Sequence, residues 1–271
     1  MPSLMVGSEP EARPVALVTG AAVRIGRAIG LALGGAGMSI IVHYRRSEAE
    51  AAQLCEELTS RSVHAWSVQG DFADPAEAER IVERAIAAAG SLDVLVNNAS
   101  IFPRDDLDTL TLDGLVDNVR MNAWAPFAAS RAFARRIGRG HIINLLDSRI
   151  DDMDWHHVGY ILSKHVLAAM TRMMALAFAP NIAVNAVAPG LILPPPGAPH
   201  GYIDALVRTV PLEQHGEPEQ IARAVAYLAT SEFITGEVIY VDGGRHLKEY
   251  DGDGPHPDQG SARTLHSRHH G

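Results

Sequence analysis

Short, continuous apolar runs alternate along the chain with longer segments whose apolar residues recur every three to four positions. VALVTG (15–20) reads as a buried parallel strand and RIGRAIGLALGGAG (24–37) as a helix that stops at glycines. MSIIVHY (38–44) is the second strand, and SEAEAAQLCEELTSR (47–61) the second helix, with Ser47 and Glu50 spaced as a capping box. VHAWSVQ (63–69) follows as a strand, then a helix over 75–90 with Pro75 in its first turn and Asp74 as N-cap. LDVLVNNAS (92–100) is the fourth strand and its exit. A long helical stretch over roughly 106–136 is interrupted near Asn122 to Pro126. HIINLLDS (141–148), a long helix over 159–179, NIAVNAVAPG (181–190), a helix over 217–230 and GEVIYVDGG (236–244) complete the pattern.

Seven strands separated by helices predict right-handed crossovers and one doubly wound α/β domain of Rossmann type over 14–248, with a seven-stranded parallel sheet. Residues 189–202 hold five prolines and are expected to be a loop at the C-terminal side of the sheet, part of a substrate loop over 189–210. Residues 1–13 read as a flexible lead and 249–271, rich in Gly, Asp, His and Ser, as a disordered tail.

Composition narrows the function. The 271 residues are 47% apolar and 20% charged, enough for a full core. A net charge of −9 and the lack of a long basic run argue against a nucleic-acid binder. No signal peptide and no run of about 18 apolar residues is visible, so a soluble cytoplasmic protein without a membrane partner is expected. The single cysteine, Cys55, cannot form an internal disulfide. Thirteen histidines form no metal-binding spacing, and those in the tail (His266, His269, His270) offer at most weak adventitious binding, so no metal is expected.

Thr19 to Gly26 join the first strand to the first helix. In a doubly wound sheet, Gly20 and Gly26 let backbone approach a pyrophosphate, with Arg24 and Ile25 opening the helix whose N-terminus faces it. The second strand ends His43-Tyr44-Arg45-Arg46-Ser47, with no carboxylate before Glu48 to bind a ribose 2′-hydroxyl. Two guanidiniums and a hydroxyl suit a 2′-phosphate, which predicts NADPH; a solvated basic turn is the alternative. Asp71 suits either an adenine amino contact or an ordinary turn.

Tyr160 and Lys164, four apart, share one helix face. A tyrosine with a pKa near ~10 exchanges protons poorly at neutral pH unless its anion is stabilised, and a lysine one turn away supplies that field. With Thr19 to Gly26, Asn97-Asn98-Ala99, Asn122 and Pro189-Gly190, in this order across 15–244, the set resembles the short-chain dehydrogenase/reductase family. The resemblance implies a nicotinamide cofactor lined by Asn98, Ala99, Pro189 and Gly190, roles for Asn122, Tyr160 and Lys164 in proton transfer, and a homotetramer built on the helices of 106–136 and 159–179.

Three departures sharpen the expectation. Arg24 stands at the middle glycine of the family's phosphate loop, Ser100 at the glycine of NNAG, and Asp147 where most members carry a serine. Together with HYRRS and VDGGRHL these resemble the pteridine reductases and dihydromonapterin reductases. That resemblance implies that Arg24, Ser100, Phe102, Asp147 and Tyr160 contact a pterin. A carboxylate at 147 suits a donor-rich heterocycle edge, or holds a proton if burial raises its pKa. Phe102 suits stacking on a flat ring. Structural readings stay open at this point: Asp147 as a cap, Ser100 on local backbone, Phe102 in the core, Arg24 in solvent. Trp155 and Tyr202 belong either to the pocket wall or to the surface. With Leu191 and Ile192 where relatives carry a threonine, backbone is expected to make the carboxamide contact.

The expected activity is NADPH-dependent reduction of 7,8-dihydromonapterin or dihydrobiopterin, with weak dihydrofolate reduction. A short-chain reductase of another small carbonyl or imine, and a non-catalytic NADP-binding regulator, are the alternatives.

Overall fold

The computed structural model describes residues 13–151, 154–195 and 197–247. The expected flexible lead, apart from Arg13, and the expected tail with its histidines lie outside them. Seven parallel strands are ordered β3-β2-β1-β4-β5-β6-β7: β1 Val15–Val18, β2 Ser39–Tyr44, β3 Ala65–Gln69, β4 Val94–Asn97, β5 Gly140–Leu145, β6 Ile182–Pro189 and β7 Val238–Val241. The helices are α1 Arg24–Gly35, α2 Glu48–Ser60, α3 Glu77–Ala89, α4 Leu112–Val119, α5 Ala125–Ile137, α6 Val158–Phe178, α7 Tyr202–Leu206 and α8 Pro218–Ala229. The expected doubly wound fold is thus observed. The strand order reverses between β1 and β4, the crevice where such sheets bind ligands.

Period-two alternation explains why the strands read as unbroken apolar runs. Ala16 and Val18 join Ile29, Leu54 and Val225 in a core beneath α1, α2 and α8. Val15 and Leu17 join Ile81, Phe133 and Met174 in a second core beneath α3, α5 and α6. Both faces of the sheet are therefore covered.

Two local readings are corrected. Ser47 sits at the N-cap of α2 but its side chain makes no capping bond, so the capping box does not form. The helix expected from Pro75 starts at Glu77; Asp74 instead accepts from the Ala76 amide at 2.9 Å in the turn before it. The substrate loop contains a short helix, α7, after an irregular stretch.

The break near Asn122 is a π-helical turn, Arg120–Trp124, between α4 and α5. Pro126 has no amide hydrogen to give the carbonyl four residues back, which is where the α pattern yields. α6 is long and apolar enough, by length and composition, to cross a bilayer. Lys164, His165 and Arg172 interrupt its apolar run, and its Tyr160–Ser163–Lys164–Leu167–Thr171 face is buried in the protein.

A polar seam ties the two central strands to the helices below. Asn97 and Asn144 are register partners on β4 and β5. Asn97 Nδ2 donates to Asn144 Oδ1 at 2.8 Å and to Ser130 Oγ at 3.0 Å, and Asn144 Nδ2 donates to Thr171 Oγ1 at 2.9 Å. Both asparagines are buried, so an unmet partner costs about 1–3 kcal/mol. Asn144→Leu is expected to destabilise the protein by about 2 kcal/mol in urea unfolding; an unchanged midpoint would mean the seam contributes nothing.

Candidate active site

The loop after β1 is shaped from three sides. Gly20 has φ +63, and a Cβ on Gly26 would lie 2.2 Å from the Gly20 carbonyl oxygen and 2.7 Å from Asn98 Nδ2. Asn98 Nδ2 donates to the Thr19 and Gly20 carbonyls, while Thr19 Oγ1 accepts from the Asn98 and Ala99 amides at 2.9 and 3.0 Å. The N-terminus of α1 has no capping side chain and no acid in its first turn, leaving its positive end for an anion. These features fit a dinucleotide pyrophosphate. Ile25 is partly buried against the core.

His43 is a structural pin. Its Nδ1 accepts from the Gly20 amide at 3.0 Å and its Nε2 lies 3.2 Å from the Gly70 carbonyl, the tautomer with hydrogen on Nε2. Burial lowers its pKa to about 4, so it stays neutral. Tyr44 is likewise buried in the core. Both His43 ring nitrogens are thus spent on backbone, one of them on the phosphate loop itself. Arg45 and Arg46 are exposed, and Ser47, free of capping, is half-buried beside them. Asp71 accepts from the Ala73 amide at 3.0 Å and lies 3.9 Å from Arg45, which favours the turn reading.

Tyr160 and Lys164 are both buried at the start of α6. The Tyr160 hydroxyl donates to Asp147 Oδ2 at 3.1 Å, and Lys164 Nζ donates to the Leu145 carbonyl at 2.7 Å. Burial and the Asp147 charge push the phenol well above its ordinary pKa, so Tyr160 keeps its proton. Burial draws Lys164 down to about 8, partly countered by Asp147.

Asn122, fully buried on the π turn, clamps the loop after β4. Its Oδ1 accepts from the Ile101 amide (2.9 Å) and Ser100 Oγ (3.0 Å), and its Nδ2 donates to the Ile101 carbonyl (3.1 Å) and Ser163 Oγ (3.0 Å). These bonds let Asn122 position the loop after β4 against α6. Ser100, exposed, is held by the same clamp.

Asp147 does two things at once. Its Oδ1 accepts from the Arg149 amide at 2.9 Å, capping the following turn, and its Oδ2 faces Tyr160. Burial alone would raise its pKa, but the charge and hydrogen bonds of Arg149, with Arg245 further off, bring it below the usual carboxylate range. Of the two readings open for Asp147, this favours the acceptor over the burial-raised proton holder.

The sequence reading missed the groups that achieve this. Arg149 Nε lies 3.3 Å from Asp147 Oδ1, and Arg149 also pairs with Asp154. Asp154 Oδ2 is 2.9 Å from His157 Nδ1, and His157 stacks on Phe102 with centroids 3.8 Å apart. Phe102 meets the Tyr160 ring edge-on at 4.6 Å. Phe102 is thus half-buried in the wall of the site, not in the core. Neighbouring Ser148 is buried, its hydroxyl without a hydrogen-bond partner among the described residues.

The far wall is the substrate loop. Gly190 packs so tightly that a Cβ would lie 2.5 Å from Asp242 Cα, and Leu191 and Ile192 turn into the interior, leaving backbone to face the crevice. Arg24, at φ +56, reaches across and donates to the Pro194 carbonyl at 2.8 Å. Its exposed guanidinium bridges the two loops. Tyr202 is half-buried at the start of α7, and Trp155 is exposed. Among the described residues, no cluster of His, Cys, Asp or Glu could hold a metal.

A family profile described as enoyl-(acyl carrier protein) reductase matches residues 20–246. The chain belongs to the short-chain dehydrogenase/reductase family. Members of this family are oxidoreductases, and two relatives frame the range of its chemistry. The chain is 33% identical to pteridine reductase 1 of Leishmania tarentolae, over 86% of this chain and 96% of that protein. It is 32% identical to the 3-oxoacyl-[acyl-carrier-protein] reductase FabG of Staphylococcus aureus, over 86% of this chain and 98% of the other. Among solved structures it resembles FolM alternative dihydrofolate reductase 1 from Brucella canis in complex with NADP: TM-score 0.83, 30% identity, covering 92% of this chain and 98% of that one.

With Tyr160 held protonated, Lys164 is the group that titrates in the working range. Its charge is present below about pH 8 and lost above it, so the reduction rate is expected to fall with a midpoint near 8. Lys164→Arg keeps the charge and should remove that alkaline limb even if the rate is lower. A wild-type profile flat to about pH 10, beyond the ordinary Tyr range, would contradict the assignment.

Proposed function

We propose that this protein is an NADPH-dependent reductase of pterins, converting 7,8-dihydromonapterin or dihydrobiopterin to the tetrahydro form, with weak activity on dihydrofolate. The observation that carries the reading is the Asp147 carboxyl group, held by Arg149 on one oxygen and facing the Tyr160 hydroxyl with the other. A ketone oxygen is itself an acceptor, so a carboxylate beside it repels; the amino-pyrimidinone edge of a pterin offers N–H donors to the same carboxylate. The similarity to pteridine reductase 1 and to FolM supports the same substrate class.

Reduction of the 7,8-dihydropterin C6=N5 bond takes a hydride at C6, which bound NADPH supplies, and a proton at N5. The remaining work falls to this chain. Arg45, Arg46 and Ser47 would hold the 2′-phosphate, and the α1 N-terminus with Gly20 and Gly26 the pyrophosphate. Lys164 would bind the nicotinamide ribose. Asp147 would anchor the pterin's donor edge, and the half-buried Phe102 ring would stack on its face for roughly 1 kcal/mol beyond area burial. Arg24 lies between the phosphate loop and the substrate loop, where its guanidinium can reach cofactor phosphate and the pterin N5 region together. The N5 proton would come from solvent water beside Arg24, and Tyr160, which keeps its proton, would donate on the N8 side only when a fully oxidised pterin is the substrate.

The FabG similarity favours a second reading, reduction of a small β-keto compound. The proposed assembly is a homotetramer on α4–α5 and α6, whose outer faces carry Leu112, Trp124, Leu162, Met173 and Leu176 exposed in the single chain.

NADPH oxidation by 7,8-dihydromonapterin, dihydrobiopterin, dihydrofolate and a set of small ketones, compared side by side, tests the assignment. Turnover confined to the pterins is expected, with Asp147→Asn lowering kcat/KM by about 10–100-fold, the loss of one charge-assisted bond. Arg45→Ala/Arg46→Ala should raise KM for NADPH about tenfold or more and leave NADH unchanged. Turnover of ketones alone would overturn the pterin reading.

A further inference from the structure

Tyr160 is set in a closed ring of contacts drawn from three segments. Tyr160 bonds Asp147, Asp147 bonds Arg149, Arg149 pairs with Asp154, Asp154 with His157, His157 stacks on Phe102, and Phe102 returns edge-on to Tyr160. Arg149 is the only cation in that ring that is charged at every working pH, and it is four-fifths buried between two carboxylates. A buried guanidinium is expensive unless it is paired, so its presence here calls for a task that an apolar residue could not do.

We infer that Arg149 is the positioning residue that sets the substrate class: it keeps Asp147 an acceptor and, through Asp154 and His157, fixes the Phe102 wall at the distance a flat heterocycle needs. This rests on the pterin reading of the same site. The two arms of the guanidinium divide the work. Nε and the backbone amide hold Asp147 Oδ1, which leaves Oδ2 aimed at Tyr160 and the substrate edge. Nη1 holds Asp154, whose second partner is the imidazole that backs Phe102. Neither job is served by the serine that most family members carry at 147, because a hydroxyl needs no cation to hold its charge state.

The charged and titratable groups around Asp147 come from every element packed on it: Tyr160 and Lys164 from α6, Arg149 and Asp154 from its own loop, and Arg245 from the turn after β7. Without Arg149, the first-listed influence on Asp147, burial, would be opposed mainly by the more distant Arg245, and the carboxyl would take up a proton as pH falls toward the neutral range. A protonated Asp147 is a hydroxyl donor and would behave like the family's serine.

The test compares wild type with Arg149→Met and Arg149→Lys, measuring kcat and KM across pH for 7,8-dihydromonapterin and for a small β-keto ester. Equilibrium binding of an oxidised pterin, read by fluorescence quenching, and urea unfolding accompany the kinetics. Wild-type kcat/KM on the pterin should show no acid limb between about pH 5 and 7. In Arg149→Met it should fall at least tenfold over that span, pterin binding should weaken in parallel, and β-keto ester turnover should appear as pH drops. Arg149→Lys should restore the flat acid side. Pterin and keto-ester profiles of Arg149→Met that superimpose on wild type would overturn the inference. If Arg149→Met proves too unstable in urea, Asp154→Asn decides the matter: KM for the pterin should rise at least fivefold with kcat kept, and an unchanged KM would count against the inference. Wild type inactive on every pterin would instead sink the pterin reading, and the keto-ester gain in Arg149→Met would still report on Arg149 alone.

Discussion

A carboxylate buried beside a tyrosine has two stable fates: it takes up a proton, or it is surrounded by enough positive charge to stay ionised. Asp147 has the second. Arg149 supplies a backbone amide, a guanidinium nitrogen and a full charge to it, and Arg245 adds field from the turn after β7. The rest of the site follows from that choice. An ionised Asp147 holds the Tyr160 hydroxyl as a donor and raises its pKa, which leaves Lys164 as the group that titrates near neutrality. The catalytic tyrosine is therefore set for giving a proton, and the substrate edge is set for receiving donors.

The fold delivers these groups by covering both faces of a parallel sheet and gathering the strand exits at its C-terminal edge. The asparagine seam between β4 and β5 pins the two strands whose exits carry Asn98 to Phe102 and Asp147. The π turn forced near Pro126 swings Asn122 into the interior, where it grips the Ser100–Ile101 backbone and α6 at once. Arg24 adopts a left-handed backbone conformation where most relatives carry glycine, at a cost of roughly 1 kcal/mol, and from there spans to the Pro194 carbonyl. Each device fixes one wall of the crevice relative to the others.

Much of this was legible in the chain. The seven strands were readable because parallel strands buried on both faces are unbroken apolar runs, and the Tyr160–Lys164 spacing is a property of one helix face. Asp147 is a candidate because it departs from the family pattern, and Phe102 because the resemblance to pteridine reductases implies a ring that stacks on the substrate. The hidden parts share a physical cause. Arg149, Asp154 and His157 meet across an irregular segment, where no helical or strand period relates sequence distance to spatial distance. His43 looked like a cofactor ligand because it precedes two arginines, yet strand alternation turns it inward to pin Gly20 and Gly70. Ser47 had the spacing of a capping box, but spacing does not fix the rotamer, and its hydroxyl stays uncapped. The charge state of Asp147 could not be read at all, since burial and Arg149 act in opposite directions and only their geometry decides between them.

The most direct test is infrared difference spectroscopy of the carboxyl groups, comparing wild type with Asp147→Asn near neutral pH. The account predicts that the substitution removes intensity from the carboxylate stretching bands and leaves the protonated-carboxyl region unchanged. A protonated-carboxyl band present in wild type and absent from Asp147→Asn would contradict it, because the buried acid would then be a donor and the site would be built for carbonyl oxygen.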